Sequence, residues 1–412
     1  MKRGNRYYPG IVERTNKHGV TRYYIILDVS DDPVTKRRRQ NMVAGGATIT
    51  EALAEQIRLK SDISNGTYIK NTKITLAQHL ENWLRDYVKP QLSPRTAEGY
   101  EHSVQAHIAP SFLGSMMLKD IRPEHLLRYY AEKGATGRRD GKGGLSQRTI
   151  RHHHEILFTA LDRAIENGLI SMNPVKRVKA PRYQKIEQHY LDSEGIQKVL
   201  EFAKETPLYA LYYTALFTGM RRSELLALRW QDIDLTLGQI SISRGLHHLR
   251  TGEMVYRQPK SAKGSRLIPM PPSLSLVLRD HKNNQTDTFL SMSTRRLLKE
   301  DDLVFSRLIP EAKQFIVAPL LPDTVTATWT KIVERAGYHG VRLHDARHSH
   351  ASLLLEQGIH PKIVQERLGH SSIQITLDTY SHIMPGLQRA AAEGFDVVMN
   401  KKTSNDPAKE AH

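Results

Sequence analysis

Cysteine is absent from the chain, which removes disulfides and thiolate metal sites together and agrees with a reducing compartment. A run of about eighteen apolar residues is missing too, so no membrane-spanning helix is expected. The opening Met1-Lys2-Arg3-Gly4-Asn5-Arg6 is polar and cationic, so no secretory signal is expected and the protein reads as soluble and cytoplasmic. No glycine-rich loop followed by Lys-Ser/Thr is present, which removes the usual nucleotide cradle. Acidic residues are in short supply: 43 Asp and Glu face 60 Lys and Arg, for a formal charge of +17. Such an excess favours a polyanion, because each neutralised phosphate releases condensed counterions. Nucleic acid fits best; an anionic membrane surface or a merely basic soluble protein would also satisfy the charge.

What is present is enough for packed domains. With 412 residues and 39% hydrophobic content, the chain is too long for one ordinary core. Residues 1–70 alternate in strand fashion through Thr21–Val29 and turn at Asp31-Asp32-Pro33. The basic run Lys36–Arg39 follows, read either as a solvated edge or as a strand offered to a DNA groove. Thr48-Ile49-Thr50-Glu51 then reads as a capping box opening a helix through Leu59. Together these predict a small sheet carrying one helix.

Residues 72–178 read as four helices. They begin at Thr75, at Ser93-Pro94, at Pro123 and at Ser146, where capping residues precede apolar 3.6-residue periodicity. His152-His153-His154 lies within the last of them. Successive helical positions point about 100° apart, so the three cannot converge on one metal, and a polar or phosphate-facing surface is expected there. Pro174 to Tyr183 is cationic and proline-punctuated, as an extended linker would be, with residues 179–187 joining the bundle to the third block. That block, residues 188–399, mixes helices with a short sheet, and residues 400–412 form a polar tail.

The third block carries the chemistry. Thr218-Gly219-Met220-Arg221-Arg222-Ser223-Glu224 ends one helix at a glycine and begins another, with Arg221 and Glu224 three apart and so expected on one helix face. Lys260 sits in Gln258-Pro259-Lys260-Ser261-Ala262-Lys263-Gly264-Ser265-Arg266, read as a tight connection between strands. His344 and Arg347 are again three apart, Leu368-Gly369-His370 follows, and Tyr380 lies ten residues later on a final helix. Each piece alone has an ordinary explanation: a surface ion pair, a solvated helix start, a helix stop, a core tyrosine. Their order is what is rare.

In that order the chain resembles the tyrosine recombinase, or phage integrase, family. The resemblance is strong over the third block, extends to the second as a four-helix SAM-like core-binding domain, and more loosely to the first as an arm-type DNA-binding domain. It implies a mainly α multidomain protein with small β-sheets and an α+β catalytic domain of the DNA breaking-rejoining type. It also implies site-specific recombination of a mobile element through a 3′-phosphotyrosyl intermediate, by a homo-tetramer acting on two double-stranded DNA duplexes. An excisionase and a host DNA-bending protein would be optional partners.

The resemblance implies the residue roles as well. Arg221 and Arg347 would clamp the scissile phosphate, which suits the planar guanidinium fork. Tyr380 would attack and His344 accept its proton. Lys260 would protonate the departing 5′-oxygen, with Lys263 as a rival; His370 would bond a phosphate oxygen and Glu224 orient the pocket. Arg222 reads as structural or DNA-facing. No acidic cluster of metal-ligand type accompanies these residues, so no metal or other cofactor is expected and the arginines would do the neutralising. Leu387, Ala391, Phe395 and Val398 recur at helical spacing and could pack on their own domain or on a neighbouring protomer. Two relatives in chemistry, a chromosome-dimer resolvase or transposon recombinase and a type IB topoisomerase, stay open, as does a DNA-binding regulator that keeps the scaffold without activity.

Overall fold

The computed structural model describes residues 9–16, 19–29, 39–64, 73–183, 189–259, 264–291, 296–311, 314–380, 392–397 and 399. The chain divides into two units, residues 1–184 and 185–412. Among the described residues no helix is long and apolar enough to cross a membrane.

The first unit begins with an antiparallel meander, Ile11–Thr15, Thr21–Val29 and Arg39–Gly46. The expected capping box is present: Glu51 N–H donates to Thr48 Oγ1 at 3.3 Å and Thr48 N–H to the Glu51 carboxylate. The helix it opens runs Ile49–Ser64, a turn longer than the apolar pattern suggested. One sheet face packs on this helix through Ile11, Ile25, Leu27, Ala52 and Leu59. Gly45 lets the two layers close, since a Cβ there would lie 2.9 Å from that of Ala52. The other face carries Val12, Arg14, Arg22 and Tyr24, because alternate strand residues point oppositely. Arg14 and Arg22 are exposed direct cross-strand partners, an arrangement of like charges that is unfavourable by itself. Of the basic run Lys36–Arg39, only the backbone of Arg39 lies within the described residues.

The helices Leu76–Trp83, Pro94–Ser103, Pro123–Thr136 and Gln147–Glu166 make up the bundle. Their starts are where the capping residues put them: Thr75 accepts from Gln78 N–H at 3.3 Å, Ser93 from Thr96 N–H at 3.3 Å and Ser146 from Thr149 N–H at 3.2 Å. The first two relax into wider turns over Leu84–Val88 and Val104–Ile108. Leu76, Leu80, Ile108, Leu126, Ile156, Leu157 and Leu161 fill the centre.

The histidine run corrects the sequence reading. His153 and His154 face inward, their Nδ1 atoms bonded to the hydroxyls of Tyr129 at 3.1 Å and Tyr130 at 3.0 Å; only His152 is half-exposed. A tyrosine hydroxyl gives each buried ring one polar partner, while Nε2 of His153 is buried without one among the described residues. The cationic segment is also less extended than expected. Pro174–Arg177 forms a single turn that drives Val175 and Val178 into the bundle core.

In the second unit the helix Tyr209–Thr218 is surrounded by others and apolar nearly all round, as a central helix must be. The helices Ser193–Ala203, Pro272–Ser291, Pro322–Arg335 and Leu343–Glu356 accompany it, and Pro361–Leu368 and Ile373–Tyr380 follow in sequence. A three-stranded antiparallel sheet joins Ile233–Asp234, Gln239–Ile242 and Arg266–Pro269. Separate hairpins pair Gly245–His248 with Met254–Arg257, and Ser306–Glu311 with Gln314–Pro319. The segment holding Lys260 therefore runs between strands of different pairings, Met254–Arg257 and Arg266–Pro269. Trp230, Trp329, Tyr212 and Phe289 are the largest fully buried side chains of this unit. Of the apolar pattern near the end, Leu387, Ala391 and Val398 lie outside the described residues, and Phe395 is 69% exposed.

Candidate active site

The Tyr209–Thr218 helix ends at Gly219, whose φ of 65° is left-handed and favours glycine for lack of a Cβ. A Cβ there would meet Leu368 Cδ2 at 2.6 Å and His350 Cδ2 at 2.9 Å, so glycine is required twice over. Arg221 follows as the N-cap of the short helix Arg222–Leu225. Arg221 and Glu224 thus meet by capping geometry and not as neighbours on a helix face. Glu224 accepts from the Arg221 backbone N–H at 2.9 Å and from its guanidinium Nη1 at 2.7 Å.

Helix ends leave carbonyls without intrahelical donors, and this site uses them to aim its arginines. Arg347 donates Nη1 to Gly219 O at 2.8 Å and Nη2 to Leu368 O at 2.6 Å. Arg221 donates Nη2 to Gly369 O at 3.1 Å. The two guanidinium groups therefore sit on successive carbonyls at the end of the Pro361–Leu368 helix, where the helix dipole also favours cations. Gly369, at φ 66°, makes that left-handed stop. The chain then turns to His370, whose carbonyl accepts from Gln365 Nε2 at 2.6 Å and whose Nδ1 meets Thr376 Oγ1 at 2.9 Å. With Nδ1 engaged, Nε2 is the edge that can meet a ligand.

His344 and Arg347 sit near the start of the Leu343–Glu356 helix. The buried Asp345 accepts from Arg342 N–H at 2.7 Å and from its guanidinium, pinning that start. Burial, reinforced by the Arg347 guanidinium, holds His344 below the ordinary imidazole range. The same causes, with Arg221 added, push His370 down to about 3. Both rings are neutral near pH 7, so His344 can accept a proton while the arginines carry the charge. Burial is also the largest influence on Glu224 and raises it, but the bonds and charges of Arg266 and Arg221 together bring its carboxyl below the usual value; it is an anion.

The structure thus brings Arg221, Glu224, His344, Arg347 and His370 together. Lys260 and its rival Lys263 lie outside the described residues, as does the side chain of Tyr380. The backbone of Tyr380 closes the Ile373–Tyr380 helix, one turn beyond Thr376 on the same face. Arg222 points elsewhere, donating to Pro322 O at 3.2 Å and Thr326 Oγ1 at 2.6 Å, a structural role. Among the described residues no group of three or more His, Asp or Glu is arranged to hold a metal ion.

Residues 189–385 match the phage integrase family, and residues 75–133 match the SAM-like N-terminal domain of phage integrases. Residues 189–385 belong to the phage integrase family. The chain is 28% identical over 404 residues to a XerC-like tyrosine recombinase of Caldanaerobacter subterraneus subsp. tengcongensis, spanning 93% of this chain and 98% of that one. Its fold is similar to that of the Tn1549 transposon integrase solved with a circular intermediate DNA, at a TM-score of 0.63, 20% identity, and coverage of 78% of this chain and 99% of that one. It is similar also to the lambda integrase tetramer solved on a Holliday junction, at 0.52, 18%, 90% and 95%.

Around this site, several residues gain importance that the sequence pattern alone does not single out. Arg266 closes its fork on Glu224, at 3.2 Å and 2.9 Å. Arg367 grips Phe217 O, Pro269 O and His350 Nε2, while His350 Nδ1 meets Leu216 O at 2.9 Å. The last carbonyls of the Tyr209–Thr218 helix are thereby capped from two other helices. No spacing rule would have found these contacts, since their partners are far apart in the chain.

The neutral imidazoles make a prediction about acid. Unfolded, histidine titrates near 6.5, whereas burial, with the Arg367 charge beside it, holds His350 at about 3, and burial also takes His153 to about 3. Between those values the unfolded chain binds more protons than the native one. Stability is therefore complete above about pH 6.5 and is lost as pH falls toward 3, by on the order of 2 kcal/mol for His350 alone on reaching about pH 5. The urea midpoint should drop over that interval; a midpoint that held or rose would contradict the neutral assignments.

Proposed function

We propose that this protein is a site-specific recombinase that integrates or excises a mobile element, cleaving and rejoining DNA through a 3′-phosphotyrosyl bond to Tyr380. The observation that carries the reading is the pair of guanidinium groups held on adjacent carbonyls at Leu368 and Gly369, beside two neutral imidazoles. Tyrosyl attack on a phosphodiester forms the O–P bond as the bond to the 5′-oxygen breaks, with charge gathering on the non-bridging oxygens. Arg221 and Arg347 would hold those oxygens, His370 Nε2 would add a hydrogen bond, His344 would take the phenol proton and Lys260 would protonate the leaving oxygen. The phosphotyrosyl bond keeps the energy of the broken ester, so rejoining needs no nucleotide.

The partner we assign is double-stranded DNA carrying attachment sites, worked on by a tetramer holding two duplexes; the lambda integrase tetramer on a Holliday junction supports that assembly by analogy of fold. A duplex with a nick near the crossover point loses the short strand after attack and cannot be resealed. Such a substrate should trap the full-length chain as a covalent adduct, and its absence under conditions where the chain binds the site would sink the proposal.

We further assign residues 1–70 to arm-site binding, by the sheet face that carries Arg14 and Arg22. A phosphate between these opposed cations would relieve their repulsion. Replacing both with alanine should weaken arm-site binding, reduce the slope of log affinity against log salt by about 1 per lost phosphate contact, and leave core-site cleavage unchanged. An unaltered slope would remove the assignment.

A further inference from the structure

We infer that Arg266 is a positioning residue for cleavage, acting through Glu224 to keep Arg221 free for phosphate. The inference rests on the reading of Arg221 as a phosphate clamp. Arg266 leads the strand Arg266–Pro269 and its side chain is 6% exposed, so it is not itself a DNA contact. Its donors are spent on three separate pieces of the site. Nη1 and Nη2 take both oxygens of Glu224, at 3.2 Å and 2.9 Å. Nε donates to Arg367 O at 2.7 Å, immediately before the Leu368-Gly369-His370 step. Nη1 also reaches Gly264 O at 3.1 Å, at the end of the segment that carries Lys260.

The consequence lies in how Glu224 is shared. A carboxylate facing a single arginine draws it into a two-bond fork, which neutralises the cation and occupies its best edge. Here Arg266 holds that fork. The guanidinium of Arg221 is left with one bond to the carboxylate, Nη1 to Oε1, and keeps Nη2 on Gly369 O. Its remaining N–H groups and most of its charge stay available on the exposed side, where its side chain is 37% accessible.

Packing alone does not account for an arginine at this position. A buried cation is placed close to Arg221 and Arg367, and apolar replacement of buried ion pairs is often neutral or stabilising. What an apolar residue could not do is divide the charge of Glu224 and tie the strand to the Leu368–His370 turn.

The test compares two nicked substrates in single-turnover cleavage by the full-length chain. One has a normal scissile phosphate. In the other a methyl replaces one non-bridging oxygen, each isomer assayed separately, which removes the negative charge that a clamp arginine offsets. Arg266→Gln should slow cleavage of the phosphate about ten- to a hundredfold, the usual loss when a supporting partner is removed. With the isomer whose methyl faces Arg221, that penalty should shrink or vanish. Arg266→Lys, which keeps the cation but offers no fork, should show the same pattern, and it carries the comparison if the glutamine variant does not fold. An equal loss on both substrates would mean a merely structural role, and no loss on either would mean no role; both overturn the inference. If the unsubstituted chain formed no adduct on phosphate, the reading of the site itself would fall, and this inference with it.

Discussion

Exchange of Tyr380 for phenylalanine should leave a protein that folds and binds its site yet forms no covalent adduct. The substitution removes one oxygen and nothing else, so any loss belongs to that atom. Deleting the nucleophile of a hydrolase lowers turnover about a millionfold, and here no adduct could form at all, because the new bond is made to the missing oxygen. The phenol ionises near 10 when unperturbed, so the site must remove its proton during attack. The geometry is suited to that: His344 is neutral, held so by burial and by Arg347, and two guanidinium groups stand ready for the charge that appears. The helix carrying Tyr380 is tied to the same pocket one turn earlier, where Thr376 meets His370 at 2.9 Å. Adducts resolved on denaturing gels settle the matter. A phenylalanine variant that still became linked to DNA would show that another residue is the nucleophile.

The candidate residues could be read in the sequence because their spacing is local and their order is fixed by the chain. Arg221 and Glu224, His344 and Arg347, and Leu368-Gly369-His370 each span a turn or less, so a one-dimensional pattern retains them. Helix starts were equally legible at Thr75, Ser93, Ser146 and Thr48, where a short polar side chain meets a backbone N–H three residues on. The helix Pro272–Ser291 was not. Its fully buried positions are Leu274, Leu278, Gln285 and Phe289, and Asp280 to Thr288 is wholly polar. Gln285 is buried because it serves Trp230 Nε1 at 2.7 Å and Leu303 O at 3.1 Å, a tertiary reason that periodicity cannot express. His153 and His154 were misjudged for a similar cause: whether a histidine is surface or core depends on Tyr129 and Tyr130, more than twenty positions away. The Glu224–Arg266 pair, 42 residues apart, belongs to the same class.

The two clamp arginines should fail differently. Arg347 is 3% exposed and satisfies two carbonyls that no water can reach readily. Arg347→Ala should therefore lose about a hundred- to a thousandfold in cleavage rate, as when an oxyanion donor is removed. It should also lose roughly 1–3 kcal/mol of stability for each carbonyl left without a partner. Lysine should not rescue it, since one ammonium cannot span Gly219 O and Leu368 O as a planar fork does. Arg221 is half-exposed, and Glu224 keeps its two bonds to Arg266 when the Arg221 guanidinium is gone. Arg221→Ala should lose rate by a similar factor with a much smaller change in unfolding free energy. Single-turnover cleavage and urea denaturation on the two variants separate these outcomes. Equal stability losses would mean that Arg347 is not the deeper anchor the hydrogen bonds make it, and equal rates with the parent protein would remove both residues from the phosphate.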